Sequence, residues 1–159
     1  MSKKVFFLLS LLFLSCNSEK STYFSGKIVK PTNKEITLLK DELVIKSLPI
    51  NNDGTFNSLI DINNDGLYNF IHLPEFQYLI INKGDSLSLR LNSLDFDESL
   101  VFSGTGSEKN NFLIDVFLDH EIEENFIRSN YNVSGLKFYE LIDSLLKNKI
   151  LKFEKFDSN

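Results

Sequence analysis

Between Tyr23 and Phe102 the apolar residues come in short runs, and each run is cut by Asn, Asp, Gly, Ser or Pro before a helix could form. This half of the chain is therefore restricted to strands and turns. Strands are expected at 23–29, 35–40, 43–48, 55–61, 67–73, 77–82, 86–91 and 100–102. Ser86-Leu87-Ser88-Leu89-Arg90-Leu91 alternates strictly, so it has one buried and one wet face. Gln77–Ile81 is nearly all apolar, which fits a central strand. Asn82-Lys83-Gly84-Asp85 between them reads as a tight turn. Pro31, Pro49 and Pro74 fall at the ends of runs, where a missing N–H costs no ladder bond. The expected architecture is mainly β with α: an antiparallel sandwich or barrel of about seven to eight strands, followed by two C-terminal helices.

The helices show as a change of period after Gly106. Phe112, Leu113, Val116 and Phe117 recur at helical spacing, with Ser107 as N-cap and Glu108 in the first turn. A second helix, 134–156, carries Leu141, Ile142, Leu145, Leu146, Ile150 and Phe153 as one stripe, with Ser134 able to cap it. The stripe must be buried on the sheet, on the first helix or on a protein partner. Glu121, Glu123 and Glu124 read as a solvated stretch between the helices. A β-sandwich domain over 23–106 and a helical extension over 107–159 follow.

The first residues carry a different message. Lys3 and Lys4 precede an apolar run from Val5 to Leu14, broken only by Ser10 and followed by Ser15 and Cys16. A basic start, a short apolar stretch and a small residue before the cut are the order of a secretory signal peptide. The run is too short for the ~20 residues of a membrane span. Phe13-Leu14-Ser15-Cys16 resembles the lipobox of bacterial lipoproteins. The resemblance implies cleavage of a 1–15 signal peptide, acylation of Cys16, and residues 16–22 as anchor and polar tether. Localisation in the cell envelope follows, attached to the inner or outer membrane and facing periplasm or cell surface.

Charge and cysteine count exclude several functions. The whole chain has 17 basic and 22 acidic residues, and cleavage would remove two of the lysines. An acidic surface repels phosphate backbones, so nucleic acid is not an expected partner. The membrane contact would be made by lipid, and two or more acyl chains are needed for stable attachment. Cys16 is the sole cysteine. Once acylated it leaves no disulfide, no Cys-X-X-Cys pair and no cysteine zinc site.

Few residues are arranged for chemistry. Ile50-Asn51-Asn52-Asp53-Gly54 recurs twelve residues later as Ile62-Asn63-Asn64-Asp65-Gly66. With Asp61, Asn63 and Asp65 the second copy gives the front half of a calcium loop, but His72 stands where a closing Glu is needed. Asn-Asp-Gly between β runs is equally a hairpin turn, the reading preferred here. Gly104-Thr105-Gly106 lacks the third glycine of a dinucleotide fingerprint, since position 109 is Lys. His72 and His120 have no metal-ligand spacing, and no Gly-X-Ser-X-Gly elbow is present. Asp95 and Asp97 read as a wet loop rather than an acid–base pair. No cofactor, metal or catalytic residue is expected.

Several landmarks in order resemble one known arrangement: Tyr23-Phe24-Ser25-Gly26-Lys27-Ile28, Gly54-Thr55-Phe56, Gly66-Leu67-Tyr68, Lys83-Gly84-Asp85-Ser86-Leu87, and Phe102-Ser103-Gly104-Thr105-Gly106-Ser107-Glu108-Lys109-Asn110-Asn111-Phe112-Leu113. From 23 to about 156 the chain looks like the N-terminal β-domain that precedes thioredoxin-like (TlpA-type) thiol-disulfide oxidoreductases of the Bacteroidetes. In that family the domain leads into a thioredoxin domain with Cys-X-X-Cys. This chain has no such motif, so the family's activity has no residue here to carry it. Two expectations result. One is a lipoprotein with a non-catalytic binding or positioning role. The other is the front part of an oxidoreductase whose catalytic domain is missing.

Overall fold

A computed structural model describes residues 21–132 and 135–158. The signal sequence, Cys16 and most of the tether lie outside the described residues, as do Val133 and Ser134. Eight strands and three helices follow one another: β1 (Thr22–Val29), β2 (Glu35–Lys40), β3 (Leu43–Pro49), β4 (Thr55–Ile60), β5 (Gly66–His72), β6 (Glu75–Ile81), β7 (Ser86–Asn92), α1 (Phe96–Ser99), β8 (Val101–Gly104), α2 (Ser107–Ser129) and α3 (Leu136–Asp157). They form two four-stranded sheets, β4-β1-β7-β8 and β3-β2-β5-β6. The molecule is thus the expected sandwich with C-terminal helices, and the sheets do not close into a barrel.

Pairing is antiparallel except between β1 and β7, which run parallel with Phe24 beside Leu87 and Ile28 beside Leu91. The expectation of an antiparallel sandwich is corrected at that pair. The cause lies in the turns. Residues 50–54, 61–65 and 82–85 each carry the chain from one sheet to the other, from β3 to β4, β4 to β5 and β6 to β7. The two Asn-Asp-Gly turns and the Asn82–Asp85 turn are therefore sheet crossings, not hairpins. The hairpins are at Asp41-Glu42, where both residues take positive φ, as a two-residue turn matched to strand twist requires, and at Leu73-Pro74.

Alternation places Phe24, Ile28, Phe56, Phe70, Leu79, Leu87, Leu89 and Phe102 between the sheets. The Phe24 ring meets Phe56 edge-on at 5.3 Å and Phe70 at 6.2 Å, and Phe70 meets Phe96 at 5.8 Å. These contacts make one continuous core. The two outer faces differ. The first sheet turns outward a mixed face, Ser25, Lys27, Asn57, Ser88, Arg90 and Ser103 with Tyr23, Leu59 and Val101 among them, while the second turns out Val44, Leu67, Phe76 and Tyr78.

Other sequence expectations need correction. β6 is an edge strand, not a central one. Its apolar look arises because Phe76, Tyr78 and Ile80 belong to the apolar outer face, while Gln77, Leu79 and Ile81 face inward. Thr22, assigned to the tether, is buried in β1, and its hydroxyl accepts the Gly84 N–H at 2.9 Å. Gly106, not Ser107, is the residue before α2, with no side-chain cap. α2 runs on through Glu121, Glu123 and Glu124, because Glu124 pairs with Arg128 one turn on and Glu123 with Lys149 of α3. Asp95 and Asp97 flank the start of α1, formed because Phe96 turns into the core.

At about 34 Å, α2 outlasts a seven-residue strand of about 23 Å, and only Asn110 and Ile114 are fully buried along it. α3 packs antiparallel on its outer side: Phe112 stacks on Phe156 at 4.1 Å and meets Phe153 at 6.2 Å, and Asp119 pairs with Lys152. No helix among the described residues is long and apolar enough to cross a membrane.

Candidate functional site

The segment singled out by sequence, Phe102–Leu113, closes one mouth of the sandwich. Gly104 ends β8 at φ +88, where an added Cβ would lie 2.1 Å from the Ser86 carbonyl oxygen. Gly106 follows at φ +91 with the Asp85 carboxylate 2.6 Å from its would-be Cβ. Only glycine fits these two close approaches. The room they leave is taken by Asp85, which is buried and accepts the Asn82 N–H at 2.9 Å and the Lys109 ammonium at 2.6 Å. Its backbone carbonyl accepts the Tyr23 N–H at 2.8 Å.

Asn110 and Asn111 then each take one sheet. The Asn110 side-chain oxygen accepts the Ile80 N–H at 2.7 Å and its amide donates to the Ile80 carbonyl at 2.8 Å. Asn111 does the same with Phe102, at 2.8 and 2.9 Å. Ile80 lies on edge strand β6 and Phe102 on edge strand β8. Adjacent side-chain amides thus pair the backbone of one residue on each of two open sheet edges, as a neighbouring strand would at that position. Gly104, Gly106, Lys109, Asn110 and Asn111 are thus clasp residues. Their polar atoms are engaged in holding the fold.

The calcium candidates are not gathered. Asp61 and Asn63 are exposed on the rim of a depression of about 770 Å³ that Lys46 and Lys83 also line. Asp65 turns aside and accepts the Lys83 N–H at 2.7 Å. The Lys40 ammonium donates to the Asn64 carbonyl at 2.9 Å and lies 4.5 Å from the Tyr68 ring centre. His72 is buried at the far end of β5, where its Nε2 accepts the Thr32 N–H at 3.1 Å and its Nδ1 faces the Glu35 carbonyl at 3.2 Å. It cannot close a loop around Asp61. Among the described residues no three His, Cys, Asp or Glu side chains come together in a metal-binding group. In the first copy of the turn, Asp53 accepts the Thr55 hydroxyl at 2.6 Å and its N–H at 3.0 Å, which lowers its carboxyl below the usual range.

Asp97 carries the other perturbed carboxyl near the body of the fold. Burial pushes it up, the hydrogen bond from Gln77 opposes, and Glu121, Glu98 and Glu75 push it up further. The folded protein holds this proton to higher pH than the unfolded chain does, so ionisation of Asp97 destabilises the fold. That cost is absent below the ordinary carboxylate pKa of about 3.9 and complete above the raised value. Asp97→Asn keeps an acceptor for Gln77. It is expected to raise Tm at neutral pH, with the gain fading in melts below about pH 4.

Between α2 and α3 runs an apolar groove of about 460 Å³, lined by Phe112, Leu113, Val116, Ile150 and Phe153. Lys149 and Lys152 stand on its rim, each already paired with an acid of α2. Sequence reasoning found the α3 stripe but not this groove, because which residues of the stripe meet α2 depends on how the helices cross.

No protein-family model matches this chain, and no curated protein does. Among solved structures, a DUF3823 family protein from Bacteroides ovatus is similar over 45% of this chain and 43% of its own, at 13% identity and TM-score 0.34. A DUF3823 family protein from Parabacteroides merdae is similar over 54% of this chain and 47% of its own, at 15% identity and TM-score 0.32. This chain thus spans less than half the length of either. Likeness at that level carries nothing over from those proteins to this one.

Proposed function

We propose that this chain is a lipid-anchored, non-catalytic module of the cell envelope, with a binding or positioning role exercised through its apolar helical surface. The observation that carries the reading is the sole cysteine, placed directly after a basic-apolar leader in Phe13-Leu14-Ser15-Cys16. The fold is compatible with it. β1 begins at Thr22, six residues after Cys16, so an extended tether reaches about 20 Å. The turn at 82–85, the start of α2 and the end of α3 gather at that same end of the sandwich, through the Thr22–Gly84, Asp85–Lys109 and Phe112–Phe156 contacts.

Fractionation of producing cells tests the anchor. The native chain is expected in the membrane pellet, and Cys16→Ser is expected to lose it from there. Equal pelleting of both would reject lipid attachment. The non-enzyme reading has its own check: with no exchangeable thiol pair, the chain is expected to leave the rate of insulin reduction by dithiothreitol at its buffer value. Acceleration would reject it.

A further inference from the structure

α3 carries a second apolar stripe beside the row that meets α2. Tyr139, Leu146 and Phe153 recur at seven-residue intervals and are 75%, 54% and 60% exposed, with Ile150 next to them at 48%; Phe153 also touches Phe112 of α2, so the stripe joins the first row at that end. The row against α2, by contrast, is half-buried at Ile142, Leu145, Lys149 and Phe156. The second stripe borders the groove formed with Phe112, Leu113 and Val116, so stripe and groove make one surface along the helix pair. Two packed helices with such a seam offer knobs and holes to a third. The rim lysines are neutralised within the molecule, so the surface calls for an apolar occupant and not an ionic one.

We propose that the occupant is α3 of a second copy of this chain, paired antiparallel about a two-fold axis at Leu146. Two features favour this occupant. Tyr139 and Phe153 stand seven residues either side of Leu146, so antiparallel pairing sets Tyr139 of one copy against Phe153 of the other and Leu146 against itself. The area also suffices: aromatic side chains bury 150–250 Å² each, so the stripe and groove offer about 500 Å² per copy. That gives about 1,000 Å² across the pair, the threshold of a specific interface. An isologous contact uses the same patch twice and closes at two copies. The proposal names a partner for the helix given a binding role above and does not depend on the lipid.

Sedimentation of the full chain in mild detergent tests it. A dimer is expected. Leu146→Glu is expected to weaken it by about thirtyfold or more, the effect of losing a central anchor. Leu67→Glu, on the outer face of the second sheet, is expected to leave it unchanged. Leu146 is half exposed, so circular dichroism should be the same for all three. In a Cys16→Ser background, Leu146→Cys is expected to form a disulfide-linked dimer on mild oxidation. A chain that stays monomeric at every concentration overturns the proposal, as does a dimer indifferent to Leu146→Glu or one that Leu146→Cys fails to cross-link. Neither result would move the fractionation outcome for Cys16, so the two readings fail separately.

Discussion

Replacing Asn110 with leucine is expected to cost the fold about 3–5 kcal/mol, although the two side chains are close in size. Asn110 is fully buried. It serves the Ile80 N–H, the Ile80 carbonyl and the Gly106 carbonyl, at 2.7, 2.8 and 2.8 Å. Leucine fills the space and leaves the Ile80 N–H and carbonyl without a partner under α2, while the Gly106 carbonyl keeps its helix bond. Each buried group left unpaired costs about 1–3 kcal/mol, partly offset by the apolar area gained. Asn110→Asp should be no better, since it keeps the acceptor for Ile80 N–H but sets an unpaired carboxylate against two carbonyl oxygens. Asn111→Ala is expected to cost less, because Asn111 is only half-buried and water can reach Phe102 once the amide is gone. Urea denaturation of the three variants checks the order, and equal midpoints for Asn110→Leu and the native chain would remove the clasp from the account.

Gly104→Ala is the second large effect, expected to cost about 3 kcal/mol or more. Two terms add. A left-handed conformation costs a residue with a Cβ roughly 1–2 kcal/mol, and at φ +88 the new methyl would lie 2.1 Å from the Ser86 carbonyl oxygen. That oxygen belongs to a backbone paired across β7 and β8, where Leu87 sits opposite Gly104, so it cannot turn away as a side chain would. Relief requires opening the end of β8, which is also where α2 begins. Gly135→Ala is the comparison without a close approach: nothing lies within 4 Å of the added carbon, but at φ +65 and ψ −132 the backbone takes a region that glycine alone enters freely, so its loss of about 1–3 kcal/mol measures backbone strain by itself. Comparable losses for both variants would mean that the close approach at Gly104 contributes little.

Much of this fold could be read from the chain, for a physical reason. Alternation is local, and a strand with one buried face writes its period into six or seven residues. Ser86–Leu91 is the clearest case, with Leu87, Leu89 and Leu91 buried. Pairing is not local. Asn-Asp-Gly has the same turn chemistry whether the strands beside it hydrogen-bond to each other or part into different sheets, so the two echo turns and the Asn82–Asp85 turn looked like hairpins. The parallel β1–β7 pair follows from those crossings and leaves no mark of its own. β6 misled for another reason: Phe76 and Tyr78 give it apolar residues on both faces, and a strand apolar on both sides looks central unless its sheet has an uncovered apolar face. The acidic run Glu121–Glu124 hid the length of α2, because its partners Arg128 and Lys149 lie one turn and one helix away.

The candidate site was legible in part. The order Gly104-Thr105-Gly106 with Lys109, Asn110 and Asn111 could be noticed, but its purpose could not. Two asparagines in a helix suggest a polar surface until β6 and β8 are known to end on either side of it. The α3 stripe was visible as apolar periodicity, yet only the crossing of α2 and α3 separates the residues that meet α2 from those left open. For the calcium loop, chain order put Asp61, Asn63 and Asp65 in sequence, while the fold leaves Asp61 and Asn63 exposed on a rim and turns Asp65 to the backbone N–H of Lys83.

The central claim is that a greasy anchor on the sole cysteine holds a folded body that works by contact. Intact-mass and N-terminal fragment mass spectrometry of the protein from its native host tests this most directly. The account predicts a chain that begins at Cys16 and carries two or three acyl groups there. A chain that keeps Met1–Ser15 and a free thiol at position 16 would contradict it.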